Sequence, residues 1–319
     1  MRYFYFSFLT AFAGLALSFF IGGFGAVYLT AILAVLEVSL SFDNAVVNAK
    51  ILKDFDKVWE KRFLTWGMVI AVFGMRFFFP ILIVAVAADM GIWQTLKTAM
   101  YDPEKYHLIL LNSEKLIYAF GGAFLWLVFT DFLFENKEIR WIKPVEKYAE
   151  KLGKVNNISL IVATVIGIIV IYDSESYEIA LAYLFGMLTF SLLNGINDFF
   201  AVEGVKNGLV GFLYLEMLDA SFSFDGVIGA FAISGNIFII MIGLGIGAMF
   251  VRSLTVWMVE KGVLGEYKYL EHGAHYAIGV LAVIMLLKIF MHVGEVLTGT
   301  IGLGLLALAF LHSKYEKVK

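Results

Sequence analysis

Apolar residues run along this chain in stretches of about 20, a length matched to the hydrocarbon core of a bilayer and not to the shorter core helices of soluble proteins. Polar or glycine-containing breaks place these stretches near 4–21, 25–50, 63–87, 116–134, 157–172, 179–197, 209–232, 236–257, 273–292 and 296–312. The pattern predicts an all-α polytopic membrane protein of about ten transmembrane helices. The first run, MRYFYFSFLTAFAGLALSFFIGG, is longer than the usual signal-peptide core and is followed by no clear small-x-small cleavage site, so it reads as a retained span. The segment from Gly91 to Lys115 reads as a re-entrant or interfacial outer loop. The segment IRWIKPVEKYAEKLG, from Ile139 to Gly153, reads as a basic amphipathic helix on the inner surface beside anionic lipid.

Lysine and arginine accumulate in cytoplasmic loops, and here they fall very unevenly. With ten spans, 18 of them lie on one side and only Lys97, Lys105 and Lys115 on the other. That asymmetry places both termini in the cytoplasm and the chain in an inner or plasma membrane.

Two apolar segments carry acids to lipid depth, where an ionisable group is costly unless it faces a cavity, a partner or an ion. The run Ala34 to Leu52, AVLEVSLSFDNAVVNAKIL, aligns with Met217 to Ile233, MLDASFSFDGVIGAFAI, as [ED]-x-S-x-S-F-D. Glu37 matches Asp219, Ser41 matches Ser223, and Asp43 matches Asp225. The segments are spans two and seven, and an offset of five reverses direction. Spans three and eight likewise share an intramembrane arginine, Arg76 and Arg252, and spans four and nine each follow an acid (Glu114, Glu271) with a small-residue run. The implied architecture is a 5+5 inverted repeat, residues 1–156 with a cytoplasmic basic linker at 135–156 and residues 157–319, a plan common among secondary transporters with a polar site near the midplane.

On a straight helix Glu37, Ser41, Asn44 and Asn48 share one stripe, and Ser39 and Asp43 another turned by about 120°. In the second copy Glu216, Asp219 and Ser223 share a stripe apart from Ser221 and Asp225. Convergence of the acids therefore calls for helices two and seven to break at their S-F-D motifs, helped in the second copy by Gly226 and Gly229.

Composition narrows the chemistry. The chain is 61% hydrophobic and 16% charged, with net charge −3 and no cysteine, and its mean hydropathy is +0.85 with a pI near 6.0. Nothing points to nucleic acid, and disulfides, thiolate metal sites and cysteine nucleophiles are excluded. Glu37, Asp43, Asp219 and Asp225, with Glu216 and the amide and hydroxyl oxygens of Asn44, Ser41, Asn48 and Ser223, form a hard oxygen-only set suited to Mn²⁺, Ca²⁺ or Mg²⁺. Close carboxylates repel, so the empty site holds protons or leans on Arg76 and Arg252, and proton exchange is the natural counter-reaction. The alternative for the acids is structural interhelical hydrogen bonding; the arginines read equally as gating groups or fixed ion pairs. Asp131, Asp198 and Lys288, close to span ends, read as snorkelling or capping groups, and Asn194 as a ligand neighbour or a cap.

EVSLSFDN at Glu37 to Asn44, DASFSFDG at Asp219 to Gly226, the intramembrane arginines and the run Glu271 to Ala274 resemble the TerC family, within the lysine-exporter-like superfamily. The resemblance implies a metal-ion exporter, most commonly of manganese, with the acidic role carried by Asp43 and Asp225 and then by Glu37 and Asp219. It implies no enzyme and no resident cofactor: the dication, protons and the bilayer are the partners. Two other readings stand beside it. One is a TerC-type partner or insertion factor with a structural polar core, and the other an intramembrane aspartyl hydrolase using Asp43 and Asp225.

Overall fold

A computed structural model describes residues 2–53, 55–67, 69–78, 81–82, 84–85, 89–201, 208–234 and 236–318. Of the described residues, 87% are helical and none is in a strand. In order, the elements are α1 (Tyr5–Leu40), α2 (Phe42–Lys53), α3 (Lys57–Arg62), α4 (Ile92–Tyr101), α5 (Pro103–Phe134), α6 (Lys143–Leu152), α7 (Ile158–Ser174), α8 (Tyr177–Ala201), α9 (Leu209–Ile233), α10 (Ile237–Lys261), α11 (Val263–Glu266), α12 (Leu270–Lys288) and α13 (Glu295–Val318). Among the described residues, five helices are long and apolar enough to cross a membrane: α1, α5, residues Tyr177–Gly195 of α8, α10 and α12. Large apolar side chains such as Phe12, Phe20, Leu184 and Phe185 are exposed on these elements, as lipid-facing positions require. This is an all-α membrane protein.

The 36 residues of α1 would reach about 54 Å if straight, nearly twice the core of a bilayer. They do not run straight. Gly22 and Gly23 leave helical geometry, with Gly23 at φ +64°, a conformation open to glycine at little cost. The Ser18 and Thr30 hydroxyls then meet at 2.8 Å, although a straight helix would hold residues 12 apart about 18 Å from each other. α1 is therefore a hairpin with arms 5–21 and 24–40, as the apolar spacing predicts for that segment.

Both arms pack on α10, in opposite directions. Ser7 on the first arm donates to the Met249 carbonyl at 2.8 Å and meets the Ser253 hydroxyl at 2.7 Å, while Gly14 lies against Ile242 and Ile246. On the second arm Leu33 lies against Gly243 and Glu37 against Gly247, so sequence numbers rise together. A Cβ at Gly243 would fall 2.5 Å from that of Leu33, and one at Gly247 would fall 2.8 Å from the Ala34 carbonyl oxygen. The spacing Gly-x-x-x-Gly lets the two backbones approach where lipid offers no hydrophobic drive to press helices together. Glycines serve the same end elsewhere: Gly121 and Gly122 of α5 take Met285 and Leu286 of α12, and Gly273 takes Ala309 of α13.

Several elements depart from the sequence-based expectation. Span three is not one α-helix: Phe63–Gly67 and Ile70–Phe78 are π-helical. The segment from Gly91 to Lys115 is helical and not a loop, because Asp102 caps α5 by accepting from the Lys105 amide and Pro103 occupies the first turn, where its missing N–H costs nothing.

The linker between the halves forms α6, and it is docked. Glu146 is fully buried and accepts from the amides of Trp141 (3.0 Å) and Ile142 (3.3 Å) and from the Tyr276 hydroxyl (3.2 Å). His272 Nε2 stands 3.5 Å from it, and Trp141 Nε1 donates to His312 Nδ1 at 2.9 Å. Arg140 grips Glu150 in a bidentate pair at 2.7 and 2.8 Å, and that hydrogen bond holds the Glu150 carboxyl below its usual range.

Candidate functional site

The second arm of α1 carries Glu37 into the protein at the turn where Gly247 admits it. There Glu37 is 1% exposed; its Oε1 accepts from Ser41 Oγ at 2.7 Å and from Arg76 Nη2, and its Oε2 has no protein partner. Arg76 comes from the second π-helical stretch. Its Nη1 donates to the Ala71 carbonyl at 2.6 Å and to Asp219 Oδ2 of α9 at 3.5 Å. The other oxygen of Asp219 accepts from Asn44 Nδ2 at 2.6 Å. One guanidinium thus bridges an acid from each half of the chain.

Charges in lipid surroundings are tolerated when they pair and hydrogen-bond in this way. The pairing is incomplete, however. Glu37 Oε2, Asn44 Oδ1, Asn48 Oδ1 and Arg76 Nε are buried with no protein hydrogen-bond partner, and each such group carries a desolvation cost of roughly 1–3 kcal/mol. Three of the four are oxygens, the atoms a hard cation would take.

A second pair lies beside the first. Arg252 of α10 stacks on the Phe63 ring, with its guanidinium carbon 3.8 Å from the centroid. Its Nη2 is also 3.8 Å from Glu216 Oε1, beyond hydrogen-bonding distance. Both Glu216 oxygens and Arg252 Nη1 have no protein hydrogen-bond partner. Gly67, in the first π-helical stretch, is what admits this pair: a Cβ there would fall 2.5 Å from Glu216 Oε1.

Of the residues singled out in the sequence, Glu37, Ser41, Asn44, Arg76 and Asp219 are brought together. Asp43 is buried but turns elsewhere, its Oδ1 accepting from the Asn44 amide at 2.9 Å and its Oδ2 lying toward Gly302 of α13. The side chains of Ser223 and Asp225 lie outside the described residues. Among the described residues, no three acidic or histidine side chains come close enough to share one metal ion.

Of the two expected breaks, the first is present and the second is not. The first copy is interrupted at Ser41, between α1 and α2, yet Ser41 N still donates to Glu37 O and Ala45 N to Ser41 O. The interruption re-aims side chains without freeing a run of carbonyls. In the second copy α9 runs unbroken through Ser-Phe-Asp-Gly. Ser221 Oγ returns its hydrogen bond to the Met217 carbonyl at 3.0 Å, and Gly226 serves close approach instead of a break: a Cβ there would stand 3.1 Å from Glu37 Oε2. The two stripes therefore stay apart, which is why Asp43 does not join Glu37.

Sequence reasoning missed Glu146. Its place between Val145 and Lys147 in a basic helix carries no sign that it is buried, and only the later Tyr276 and His272 reveal it. Asn194 is no helix cap: it lies inside α8, and its Nδ2 donates to Asp131 Oδ2 at 3.4 Å. Both residues line a cavity of about 910 Å³ with Lys50, Glu135 and His275.

Fold and site together define a helical membrane protein built around a buried network of acids and arginines from both halves of the chain. Over residues 42–319 the chain matches the family described as "Protein of unknown function (DUF475)", and it belongs to that family. No curated protein and no solved structure matches it.

Proposed function

We propose that this protein exports a divalent metal cation, Mn²⁺ in the first instance, in exchange for protons, by alternating access around the Glu37–Arg76–Asp219 network. One observation carries the reading: a single guanidinium occupies the position between an acid of the first half and an acid of the second, with oxygens of Glu37 and Asn44 left unpartnered beside it. A fixed cation that neutralises two acids across a repeat interface is the arrangement a transported cation can replace, since the dication supplies the charge the guanidinium withdraws. Glu37, Asp219 and the Asn44 carbonyl oxygen are the first ligands. Asp43 and Asp225 are the further carboxylates of the loaded state. The likeness of EVSLSFDN and DASFSFDG to the TerC exporters supports the same cargo class.

The topology that goes with this reading is ten spans in a 5+5 inverted repeat, residues 1–156 and 157–319, with both termini cytoplasmic. The α1 hairpin supports it by making two crossings of one apolar element, and the 18-to-3 division of basic residues supports the orientation. An inward proton gradient then drives the cation outward.

A second reading, a non-transport membrane partner or insertion factor with a structural polar core, has its own support in the absence of a three-ligand metal cluster among the described residues. Inverted proteoliposomes decide between them. Under the transport reading they accumulate Mn²⁺ when acidified inside, and Asp43→Asn and Asp225→Asn each abolish uptake while the protein elutes and melts as a folded species. Absence of both binding and uptake in the unaltered protein favours the structural core.

A further inference from the structure

Glu216 has no place in the network as described, and its position is hard to justify on stability alone. It is 4% exposed, both carboxylate oxygens have no hydrogen-bond partner, and its nearest cation, Arg252, stays at 3.8 Å over a phenylalanine ring. Replacing a buried ion pair as a whole by well-packed apolar side chains is commonly neutral or stabilising, so stability alone gives no reason for Glu216 and Arg252 to be charged. A residue kept under those conditions has a use in another state of the protein.

The geometry points to that state. Glu216 and Asp219 lie three residues apart on one stripe of α9, about 4.5 Å along the axis and on the same face. Arg76 now reaches Asp219, the nearer of the two to its present position, at 3.5 Å. We propose that Glu216 is a positioning residue that receives the Arg76 guanidinium when a cation takes Glu37 and Asp219, so that Arg76 steps one helical turn along α9 on loading and steps back on release. This rests on the transport reading given above. The step leaves no displaced group stranded: the dication covers Glu37 and Asp219, and Glu216 receives the guanidinium that they release.

Two features make the step feasible. Arg76 lies on a π-helical stretch, Ile70–Phe78, and a π turn that relaxes to α-helical register advances the residues beyond it, giving the arginine two nearby settings. Gly67 leaves the Glu216 carboxylate open on the side of the first π-helical stretch, where any Cβ would obstruct it. Arg252, parked on Phe63, stays near Glu216 without closing a hydrogen bond to it, so the carboxylate oxygens remain free to accept from another donor.

The test compares Glu216→Gln, Glu216→Asp and the unaltered protein for Mn²⁺ uptake in proteoliposomes and for equilibrium Mn²⁺ binding in detergent. The expected result for Glu216→Gln is binding within about twofold of the parent but a maximal uptake rate lower by tenfold or more, since the site still loads while Arg76 has no charged acceptor; Glu216→Asp recovers part of the rate. A Glu216→Gln variant that binds Mn²⁺ tenfold more weakly makes Glu216 a ligand and overturns the proposal, as does one that transports at the parental rate. If the parent itself neither binds nor moves Mn²⁺, the transport reading falls and this proposal with it. Should Glu216→Gln fail to fold, a Mn²⁺-loaded structure of the parent decides: Arg76 within 3.5 Å of Glu216 supports the step, and Arg76 still on Glu37 refutes it.

Discussion

Arg76 is the residue whose loss separates a charge-bearing network from ordinary packing. In Arg76→Met the Glu37 carboxylate keeps only its bond from Ser41, and Asp219 keeps only its bond from Asn44. Removing one member of a buried ion pair typically costs about 3–5 kcal/mol, because the remaining charge stays buried. The surviving Ser41 and Asn44 bonds argue for the lower end, about 3 kcal/mol. A chain of this size moves by about 2 °C for each kcal/mol, so the melting temperature should fall by roughly 6 °C. The assay is thermal unfolding in detergent at one scan rate, followed by the fluorescence of the six tryptophans. Adding Glu37→Gln to Arg76→Met should recover half or more of the loss, since the amide removes the stranded charge and still accepts from Ser41. Mn²⁺ should recover it too: at a hundred times its dissociation constant, a ligand that binds only the folded state adds about 2.7 kcal/mol, or roughly 5 °C here. An Arg76→Met protein that melts within 1 °C of the parent, or a double variant no better than the single, would refute the claim that Arg76 holds two buried charges.

Three further outcomes are expected. Gly247→Ala should destabilise by about 1–3 kcal/mol in the same melt, because its methyl lands on Glu37 and the Ala34 carbonyl, whereas Gly265→Ala, with open space around its Cβ, should not. Single cysteines at Lys147 and Lys105 in this cysteine-free chain should react with an impermeant thiol reagent from opposite sides of the membrane, and labelling of both from one side would break the ten-span topology. Glu150 is held below the ordinary glutamate value of 4.5 by Arg140, so its contribution to linker docking is present above that value and lost as pH falls through the depressed one; hydrogen exchange across residues 143–152, corrected for intrinsic rate, should therefore rise on acidification below about pH 4.5 in the parent and change less in Glu150→Gln.

The parts of this protein visible in the sequence are those that lipid makes expensive. Glu37, Asp219, Arg76 and Arg252 stand out because ionisable groups in apolar runs need a reason, and the hairpin at Gly22–Gly23 stands out because 36 apolar residues are too long for one crossing. What the sequence conceals is rotation. Whether Asp43 faces Glu37 or Gly302 depends on about 120° of rotation about the helix axis near Ser41, and no composition signal records that angle. The π-helical register around Arg76 is hidden for the same reason, since i→i−5 bonding leaves no mark in residue type. Glu146 escapes notice because a buried glutamate in a basic helix looks like any solvated one until its partners, more than a hundred residues later, are in place.

That separation between Glu146 and its partners sets an order of events during synthesis. Tyr276 follows Glu146 by 130 residues and His312 follows Trp141 by 171. At about 5–20 residues per second the ribosome needs roughly 10 to 30 s to span the longer interval. Until His272 and Tyr276 are made, Glu146 has only its local bonds from the Trp141 and Ile142 amides, and throughout the interval the Trp141 indole lacks its acceptor. Arg76 can reach Glu37 within seconds, 39 residues after it, but Asp219 and the Gly247 surface arrive late. Docking of the linker thus acts as a completion signal in two stages: Glu146 gains its partners once Tyr276 has been made and the Trp141 indole only after His312, so a truncated chain leaves one or both short of a partner for quality-control machinery to find.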